Sequence, residues 1–381
     1  MKLRDRIEFI AGRTLAALPA HAQRRLLRAP PVRVDGQELD PSMQLLLAVR
    51  GSRGAPSLVP PGGSTPEVAR QMIRHESAVH AGRVTEVGAV RDLTVASSLP
   101  ARHYTRPDGG RLGAGDAVHD RDGPAPLLVF FHGGGWVVGD VDTHDELCRV
   151  LCRFGGVDVL SVGYRLAPEA PFPAAVDDAL ASVRWASEHA AALGADPARI
   201  AVGGDSAGGN LAAVSAQRAR DLGGPRIAAQ LLLYPSVDWA ERRPSRHLFA
   251  SGFFLTQADM DWCERHYVGR EIDRKDPRLS PLRAARLDNL PPAVVVTAAF
   301  DPLRDEGEAY VRALAAAGTQ ATLLRATGLI HGFGNMTAVS RPAREATIAV
   351  AGMLRQLLTS RREPRDVSVR GDDARATPSL G

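Results

Sequence analysis

The sequence predicts an α/β fold in which a mostly parallel sheet is covered by helices on both faces. Two observations carry this prediction. From residue 127 onward, short apolar runs alternate with helical stretches, as in parallel strands joined by helical crossovers. One run, residues 200–203, passes through a sharp glycine-rich turn directly into an Ala/Leu-rich helix. The chain of 381 residues is long enough to bury a sizeable core.

The expected elements follow from these periods. Buried strands are expected at residues 127–131, 157–162, 200–203, 228–234, 293–299 and 321–324. Helices are expected at residues 143–154, 174–193, 207–221, 305–317 and 341–360. Two earlier strand-like stretches, 90–96 and 101–105, precede a polar Gly/Asp-rich turn and should form an antiparallel edge. Helical segments at residues 3–18, 23–27, 41–49 and 65–79 come before the first strand.

This order predicts five parts of the chain. They are N-terminal helices that cover the sheet in 1–85, an α/β core in 86–235 and 291–360, an insertion between two core strands in 236–290 and a disordered tail in 361–381. The insertion holds six aromatic residues in a chain with only 5% of them: Trp239, Phe249, Phe253, Phe254, Trp262 and Tyr267. Such an insertion is either a wall of a substrate pocket or simple helical filler.

Composition excludes several function classes. The formal charge of +4 comes almost wholly from arginines interspersed with acids, which is not the pattern of a nucleic-acid-binding patch. Three cysteines give neither a disulfide framework nor a zinc pattern. Two of them, Cys148 and Cys152, are interpreted as small buried hydrophobes. We therefore expect no metal, no cofactor and no nucleic-acid partner.

The N-terminus carries charges through its apolar positions, and no run approaches 18 uninterrupted apolar residues. This pattern argues against an ordinary signal peptide or a spanning helix and predicts a cytoplasmic protein. The apolar face of residues 3–18 is expected to pack on the protein's own body. Weak peripheral contact with a membrane and a homodimer are left open.

The glycine-rich turn points to nucleophilic chemistry at Ser206. Gly204 and Gly208 flank this serine at minus two and plus two, where a strand reversing tightly into a helix leaves no room for a Cβ. A serine hydroxyl is a poor nucleophile until a base takes its proton, and that base needs an acid to fix its tautomer.

The expected partners lie at the ends of later strands. Asp301 comes directly after the strand at 293–299, and His331 follows the last strand, in the chain order Ser, Asp, His. Asp305 and Glu306 already belong to the next helix and are assigned to its N-terminal turn.

Residues 132–136, His-Gly-Gly-Gly-Trp, follow the first buried strand and are suited to bind an oxyanion. Bare glycine backbone lets N–H groups approach a substrate, the His132 ring can hold the loop, and the amide of Ala207 would complete the site. A phosphate-binding loop is the rival interpretation, but no Gly-Lys-Ser/Thr follows. Asp205 either orients this loop or simply accepts backbone hydrogen bonds.

Four motifs resemble the hormone-sensitive-lipase family of α/β-hydrolases, in its bacterial carboxylesterase branch. They are residues 132–136 (HGGGW), residues 164–169 (YRLAPE) with FPAA after them, residues 204–210 (GDSAGGN), and residues 301–306 (DPLRDE) with HGF at 331–333. The resemblance implies an α/β-hydrolase fold with a helical cap built from the N-terminal helices and the insertion.

The resemblance also implies the site and the activity. Ser206, Asp301 and His331 would form a catalytic triad, and Gly134, Gly135 and Ala207 would donate to the oxyanion. The implied activity is that of a serine carboxylesterase acting on short- to medium-chain acyl esters. The resemblance further suggests a structural pair between Arg165 and Glu169.

Two other classes of function are weighed against the esterase. A hydrolase of amides, formamides, carbamates or lactones would use the same triad, and the motifs do not exclude it. A non-catalytic receptor, as in the related plant gibberellin receptors, typically lacks the triad histidine, whereas His331 is present here. True interfacial lipase action is disfavoured because the N-terminal helix is short and charged.

Overall fold

A twisted sheet of eight strands forms the centre of the protein. The computed structural model describes residues 14, 18–52, 64–81, 84–96, 98–107 and 123–359. A small hairpin, β1 (Arg33–Val34) and β2 (Gln37–Glu38), precedes the sheet. The sheet strands are β3 (Ala89–Val95), β4 (Leu99–Thr105), β5 (Ala125–Phe131), β6 (Asp158–Val162), β7 (Ala195–Asp205), β8 (Ala229–Leu233), β9 (Ala293–Phe300) and β10 (Ala321–Ile330).

The spatial order of the strands is β10-β9-β8-β7-β5-β6-β4-β3. The pairs from β10 through β6 are parallel, whereas β4 pairs antiparallel with both β6 and β3. The predicted parallel sheet and its antiparallel edge are therefore confirmed.

Strand β5 shows why the sheet must be covered on both faces. Its side chains alternate between two cores: Leu127, Val129 and Phe131 pack into one, and Leu128 and Phe130 belong to the other. All five are fully buried. Because successive residues of a strand point to opposite faces, an uninterrupted apolar run needs a helical layer on each side.

Ten α-helices supply these layers and the cover of the site in the described part of the chain. They are α1 (Ala20–Leu27), α2 (Pro41–Ser52), α3 (Pro66–Ala81), α4 (Asp145–Gly155), α5 (Ala174–Glu188), α6 (Ala207–Asp221), α7 (Pro244–Leu248), α8 (Gln257–Tyr267), α9 (Arg304–Ala316) and α10 (Arg341–Thr359). Helices α4 and α10 pack together over one face, and α5 and α6 pack over the other.

Several boundaries differ from the prediction. The helix expected at 174–193 ends at Glu188, and the strand expected at 321–324 continues to Ile330 through an irregularity after Ala326. The hairpin of β1 and β2 was missed, although its Asp-Gly turn is a recognised hairpin signal, with positive φ at Asp35 and Gly36. Of the helix predicted at 3–18, only residues 14 and 18 are among the described residues, and the tail at 361–381 lies outside them. The five-part division stays a prediction.

Cys148 and Cys152 are buried free thiols on α4, as predicted, and burial raises the pKa of each. None of the helices in the described part of the chain is both long and apolar enough to cross a bilayer.

Two acids at the start of α9 anchor the insertion. Asp305 Oδ2 accepts the Ser245 N–H at 2.8 Å, and Glu306 Oε1 accepts the N–H groups of Val237 at 2.8 Å and Asp238 at 3.3 Å. Both acids lie in the first turn of α9, as predicted, but their carboxylates bind the insertion rather than the amides of their own helix.

The burial of Glu306 should make the stability of the protein depend on pH. Burial raises its pKa from 4.5 to about 7, against the opposing effect of Arg246 and the two amides. The folded state holds this proton more tightly than the unfolded state, so the contribution of Glu306 to stability is greatest below about pH 4.5 and is lost as pH rises through about 7. The free energy of unfolding should fall by up to about 1.4 kcal/mol per pH unit in this window. Glu306→Gln should remove that slope in denaturant titrations between pH 5 and 8. Equal slopes in the two proteins would contradict the assignment.

Candidate active site

The serine predicted as nucleophile lies at the tip of a strained turn. Strand β7 ends at Asp205 and helix α6 begins at Ala207, with Ser206 between them at φ 55° and ψ −115°. Such a conformation costs about 1–3 kcal/mol and is found mostly at functional sites. A Cβ on Gly208 would lie 1.8 Å from the Phe131 carbonyl oxygen, so the chain needs glycine there.

The structure brings the three predicted residues together. His331 follows β10, and its Nε2 lies 3.0 Å from Ser206 Oγ. Asp301 follows β9, and its Oδ2 lies 2.8 Å from His331 Nδ1. Asp301 is fully buried and His331 is 5% exposed. The other Asp301 oxygen accepts the Leu303 N–H at 2.8 Å, which fixes the orientation of the carboxylate.

This arrangement determines which imidazole nitrogen can act as a base. A carboxylate only accepts hydrogen bonds, so Nδ1 of His331 carries the hydrogen that points to Asp301. Nε2 of the neutral ring is then the acceptor that faces Ser206 Oγ. The three side chains can therefore move a proton from the serine hydroxyl to the imidazole.

Tyr234 supports the histidine and was missed by sequence reasoning. Its ring meets His331 edge to face at 4.9 Å between centroids, and its hydroxyl oxygen accepts the Gly334 N–H at 3.2 Å. Tyr234 has φ 36°, which is uncommon outside glycine. Its position in the sequence could have identified it as a site residue, because it directly follows β8, the neighbour of the strand that precedes Ser206.

The glycine loop after β5 lines the cavity that also contains Ser206. Gly134 has φ 119°, and a Cβ there would lie 2.1 Å from the Val138 carbonyl oxygen. Within the described residues, the N–H groups of Gly134, Gly135 and Ala207 donate no hydrogen bond. Gly134 and Gly135 line the same cavity as Ser206, so their amides are available to a bound ligand.

His132 lies under this loop, where the sequence placed it. Its Nδ1 lies 2.8 Å from the Gly133 carbonyl oxygen, and its ring stacks on Tyr164 at 4.3 Å between centroids. The Tyr164 hydroxyl donates to the His132 carbonyl oxygen at 2.8 Å. Burial, together with the neighbouring His144, lowers the pKa of His132 to about 4. The ring is therefore neutral near pH 7, and its Nδ1–H donates to the loop.

Asp205 binds the loop from the other side. Its Oδ1 accepts the Gly133 N–H at 2.7 Å and lies 3.1 Å from His144 Nε2. Burial acts to raise the pKa of Asp205, but His144 and the Gly133 amide together hold that pKa below its usual value. Asp205 therefore contacts the glycine loop through the Gly133 N–H. Sequence reasoning missed His144, because no local pattern links a residue at the start of α4 to the end of β7.

The predicted pair between Arg165 and Glu169 is wrong. Arg165 instead binds Asp178 of α5 at 2.6 Å, and Glu169 binds Arg70 of α3 at 2.7 Å. The Arg70 guanidinium also donates to the Ala167 carbonyl oxygen at 2.9 Å. The two charged residues face different helices, and the second pair joins α3 to the loop after β6.

A cavity of about 250 Å³ opens above Ser206. Its cover comes from α3 and from the insertion, with Ile73, Glu76, Ser77, His80, Trp239, Phe254, Leu255, Met260 and Cys263 among the lining residues. Of the six aromatic residues of the insertion, Trp239 and Phe254 line this cavity. Phe249 and Phe253 pack on Phe300 of the core instead, and Tyr267 stacks on Trp136 at 4.7 Å between centroids. The insertion therefore forms part of the cavity wall and also packs against the core.

A family model described as the alpha/beta hydrolase fold matches residues 128–335. The chain belongs to this family. The α/β-hydrolase fold and the resemblance to the hormone-sensitive-lipase family are confirmed. The carboxylic ester hydrolase LipN of Mycobacterium tuberculosis is 44% identical over 359 residues, covering 92% of this chain and 91% of that protein.

Two further members of this α/β-hydrolase family cover most of the chain. The ethyl acetate hydrolase of Pseudomonas putida is 38% identical, over 84% of this chain and 99% of its own length. A solved structure of an ester hydrolase from the metagenome of Lake Arreo, complexed with a derivative of bipyridine phosphonate, is 39% identical with a TM-score of 0.75. The match covers 83% of this chain and 98% of that one.

Proposed function

We propose that the protein hydrolyses short- to medium-chain acyl esters through an acyl-enzyme intermediate on Ser206. The observation that carries this proposal is the hydrogen-bonded line from Ser206 Oγ through His331 to Asp301, with distances of 3.0 and 2.8 Å. The broader enzyme class is already established. The chain is a carboxylic ester hydrolase, and its curated relatives carry that enzyme class in their names.

In the first half of the reaction, His331 Nε2 takes the Ser206 proton while Oγ attacks the ester carbonyl carbon. The carbonyl oxygen becomes an oxyanion, which receives the N–H groups of Gly134, Gly135 and Ala207. The imidazolium then gives its proton to the departing alkoxide, so an alcohol leaves and an acyl-serine remains. Water repeats these steps in the second half: His331 takes its proton, the carboxylic acid forms and Ser206 regains its hydrogen.

The loop contacts explain how the oxyanion donors stay aligned. His132 holds the carbonyl of Gly133 and Asp205 holds its N–H, so both backbone polar groups of the residue before Gly134 are fixed. Losing one oxyanion donor costs about 3 kcal/mol in transition-state stabilisation. A loop that is positioned before the substrate arrives avoids reorganisation during the reaction.

The decisive experiment is a panel of p-nitrophenyl esters with acetyl, butyryl, hexanoyl and octanoyl groups, run beside the matching anilides and a lactone. We expect kcat/KM to be highest for an ester of short or medium chain length and far lower for the anilides. Faster turnover of an anilide or of the lactone would instead favour the amidase or lactonase alternative. No turnover of any substrate would favour a binding protein. A homodimer, weak membrane contact and a cytoplasmic location stay predictions.

Phe254 is expected to limit the length of the acyl chain. Its ring lines the cavity, and a Cβ on Gly332, next to His331, would lie 3.3 Å from that ring. Phe254→Ala should shift the preferred acyl chain upward across the ester panel, because it enlarges the cavity beside the serine.

The neighbouring residue provides the control. Phe253 is another of the six aromatic residues of the insertion, but its ring packs against Phe249 at 5.2 Å and Phe300 at 5.5 Å between centroids. Phe253 is partly buried, so Phe253→Ala should lower stability by about 1–3 kcal/mol without changing the chain-length profile. The same shift in both variants, or in neither, would place the acyl chain elsewhere.

A further inference from the structure

An arginine from the N-terminal segment lies directly behind the cavity wall. Arg50 of α2 is only 7% exposed. Its Nη1 lies 2.6 Å from Glu76 Oε1 of α3, and its guanidinium carbon lies 4.7 Å from the centre of the Phe254 ring. Among the described residues, neither Nε nor Nη2 of Arg50 finds a hydrogen-bond acceptor.

This environment is unusual for a buried cation. Arginine in a protein interior normally fills most of its five donors, and unfilled donors carry a desolvation cost. Among the described residues, the compensation comes from the Glu76 carboxylate and from the negative face of the Phe254 ring. The Phe254 ring is thus a main partner of the Arg50 charge, and the two side chains hold one another in place.

Phe254 needs such support. Its backbone has φ 75°, a conformation that side-chain-bearing residues adopt only when their surroundings impose it. One neighbour of the ring is the Arg50 guanidinium, and another is the backbone at Gly332, beside His331. Arg50 is not among the residues that line the cavity, but Glu76 and Phe254, which it contacts, are.

We propose that Arg50 is a positioning residue that sets acyl-chain preference by holding the Phe254 ring in the cavity wall. The proposal rests on the ester hydrolysis described above and gives the N-terminal segment a role in specificity. With the guanidinium present, the ring stays in the wall and closes the cavity to longer chains. Without it, the ring can leave the wall, and longer chains fit.

The test compares Arg50→Met and Arg50→Lys in the full-length protein. The measured quantity is the ratio of kcat/KM for p-nitrophenyl octanoate to that for p-nitrophenyl butyrate. Arg50→Met should raise this ratio about tenfold, the order of effect that a changed fit of a few methylenes produces. Arg50→Lys retains a cation near the ring, so its octanoate to butyrate ratio should stay close to that of the wild type. In a Phe254→Ala background, Arg50→Met should change the ratio no further.

A matched control comes from another arginine of the same kind. Arg149 lies 5.6 Å from the centre of the Tyr104 ring and 2.6 Å from Asp145, away from the cavity lining. Arg149→Met should leave the octanoate to butyrate ratio unchanged. A purely structural role of Arg50 would lower Tm and reduce kcat/KM for all chain lengths by one common factor, and that result would overturn the proposal.

Two safeguards keep the test decisive. If Arg50→Met does not fold, Arg50→Gln provides the same readout, because glutamine keeps a donor for Glu76 but places no charge over the ring. An unchanged ratio in Arg50→Gln would reject the proposal. Failure of the underlying function is distinguishable, since the wild-type protein would then turn over none of the esters, whereas failure of this inference leaves wild-type turnover intact.

Discussion

Replacing Ser206 with alanine is expected to lower kcat for ester hydrolysis by roughly three to six orders of magnitude. The variant keeps the cavity and the oxyanion amides but has no oxygen to attack the carbonyl carbon. Alanine adds no atom to the crowded turn, so the fold should stay intact. Turnover of p-nitrophenyl butyrate measures the loss, and circular dichroism with thermal unfolding measures the fold.

Covalent trapping identifies the nucleophile independently of turnover. A p-nitrophenyl phosphonate should inactivate the wild-type protein at a ratio of one to one, with the added mass on the peptide that contains Ser206. Ser77 also lines the cavity and supplies the control. Ser77→Ala should be labelled like the wild type, whereas Ser206→Ala should not be labelled. Normal turnover by Ser206→Ala, or an adduct on another peptide, would reject the assignment.

The positions of the predicted site residues could be inferred from the sequence because each depends on a pattern of neighbouring residues in the chain. Ser206, Asp301 and His331 each follow a strand, and the strands that precede them are parallel members of one sheet. The carboxyl ends of parallel strands meet at a single edge, so residues 125 positions apart, such as Ser206 and His331, come within hydrogen-bonding distance.

Pairings between charged side chains could not be inferred in the same way. Arg165 and Glu169 are close in sequence, yet their partners Asp178 and Arg70 come from helices whose positions depend on the whole fold. In a chain with 47 basic and 43 acidic residues, nearness in sequence gives no preference for one pair. The contact between His144 and Asp205 is equally non-local.

The different roles of Phe253 and Phe254 also could not be inferred from the sequence. They are adjacent and chemically identical, so sequence reasoning treated them alike. A positive φ at Phe254 turns its ring toward the cavity, whereas the Phe253 ring packs against Phe300. The Phe254 ring contacts Arg50 of α2 and lies beside Gly332, and no pattern within the insertion encodes these neighbours.

Replacing Asp301 with asparagine should lower kcat by about 10⁴-fold while leaving the fold and substrate binding nearly unchanged. The carboxylate accepts a hydrogen from His331 Nδ1, at 2.8 Å between the heavy atoms. An asparagine amide can turn its NH₂ group toward that nitrogen, which then becomes an acceptor. The hydrogen moves to Nε2, where it faces Ser206 Oγ, and the imidazole can no longer take the serine proton.

Asp305→Asn is the matched control, since it changes an acid only four residues away in the same segment. Asp305 accepts the Ser245 N–H at 2.8 Å and binds Arg304 Nε at 2.9 Å, so its loss would loosen the insertion without altering the tautomer of His331. We expect kcat to fall by at most about 100-fold in this variant, the order of loss that a small misplacement far from the chemistry causes. Steady-state kinetics of both variants with p-nitrophenyl butyrate, beside their Tm values, separate the two effects. Equal losses of kcat would mean that Asp301 does not orient the histidine, and a larger loss in Asp305→Asn would assign the acid to Asp305.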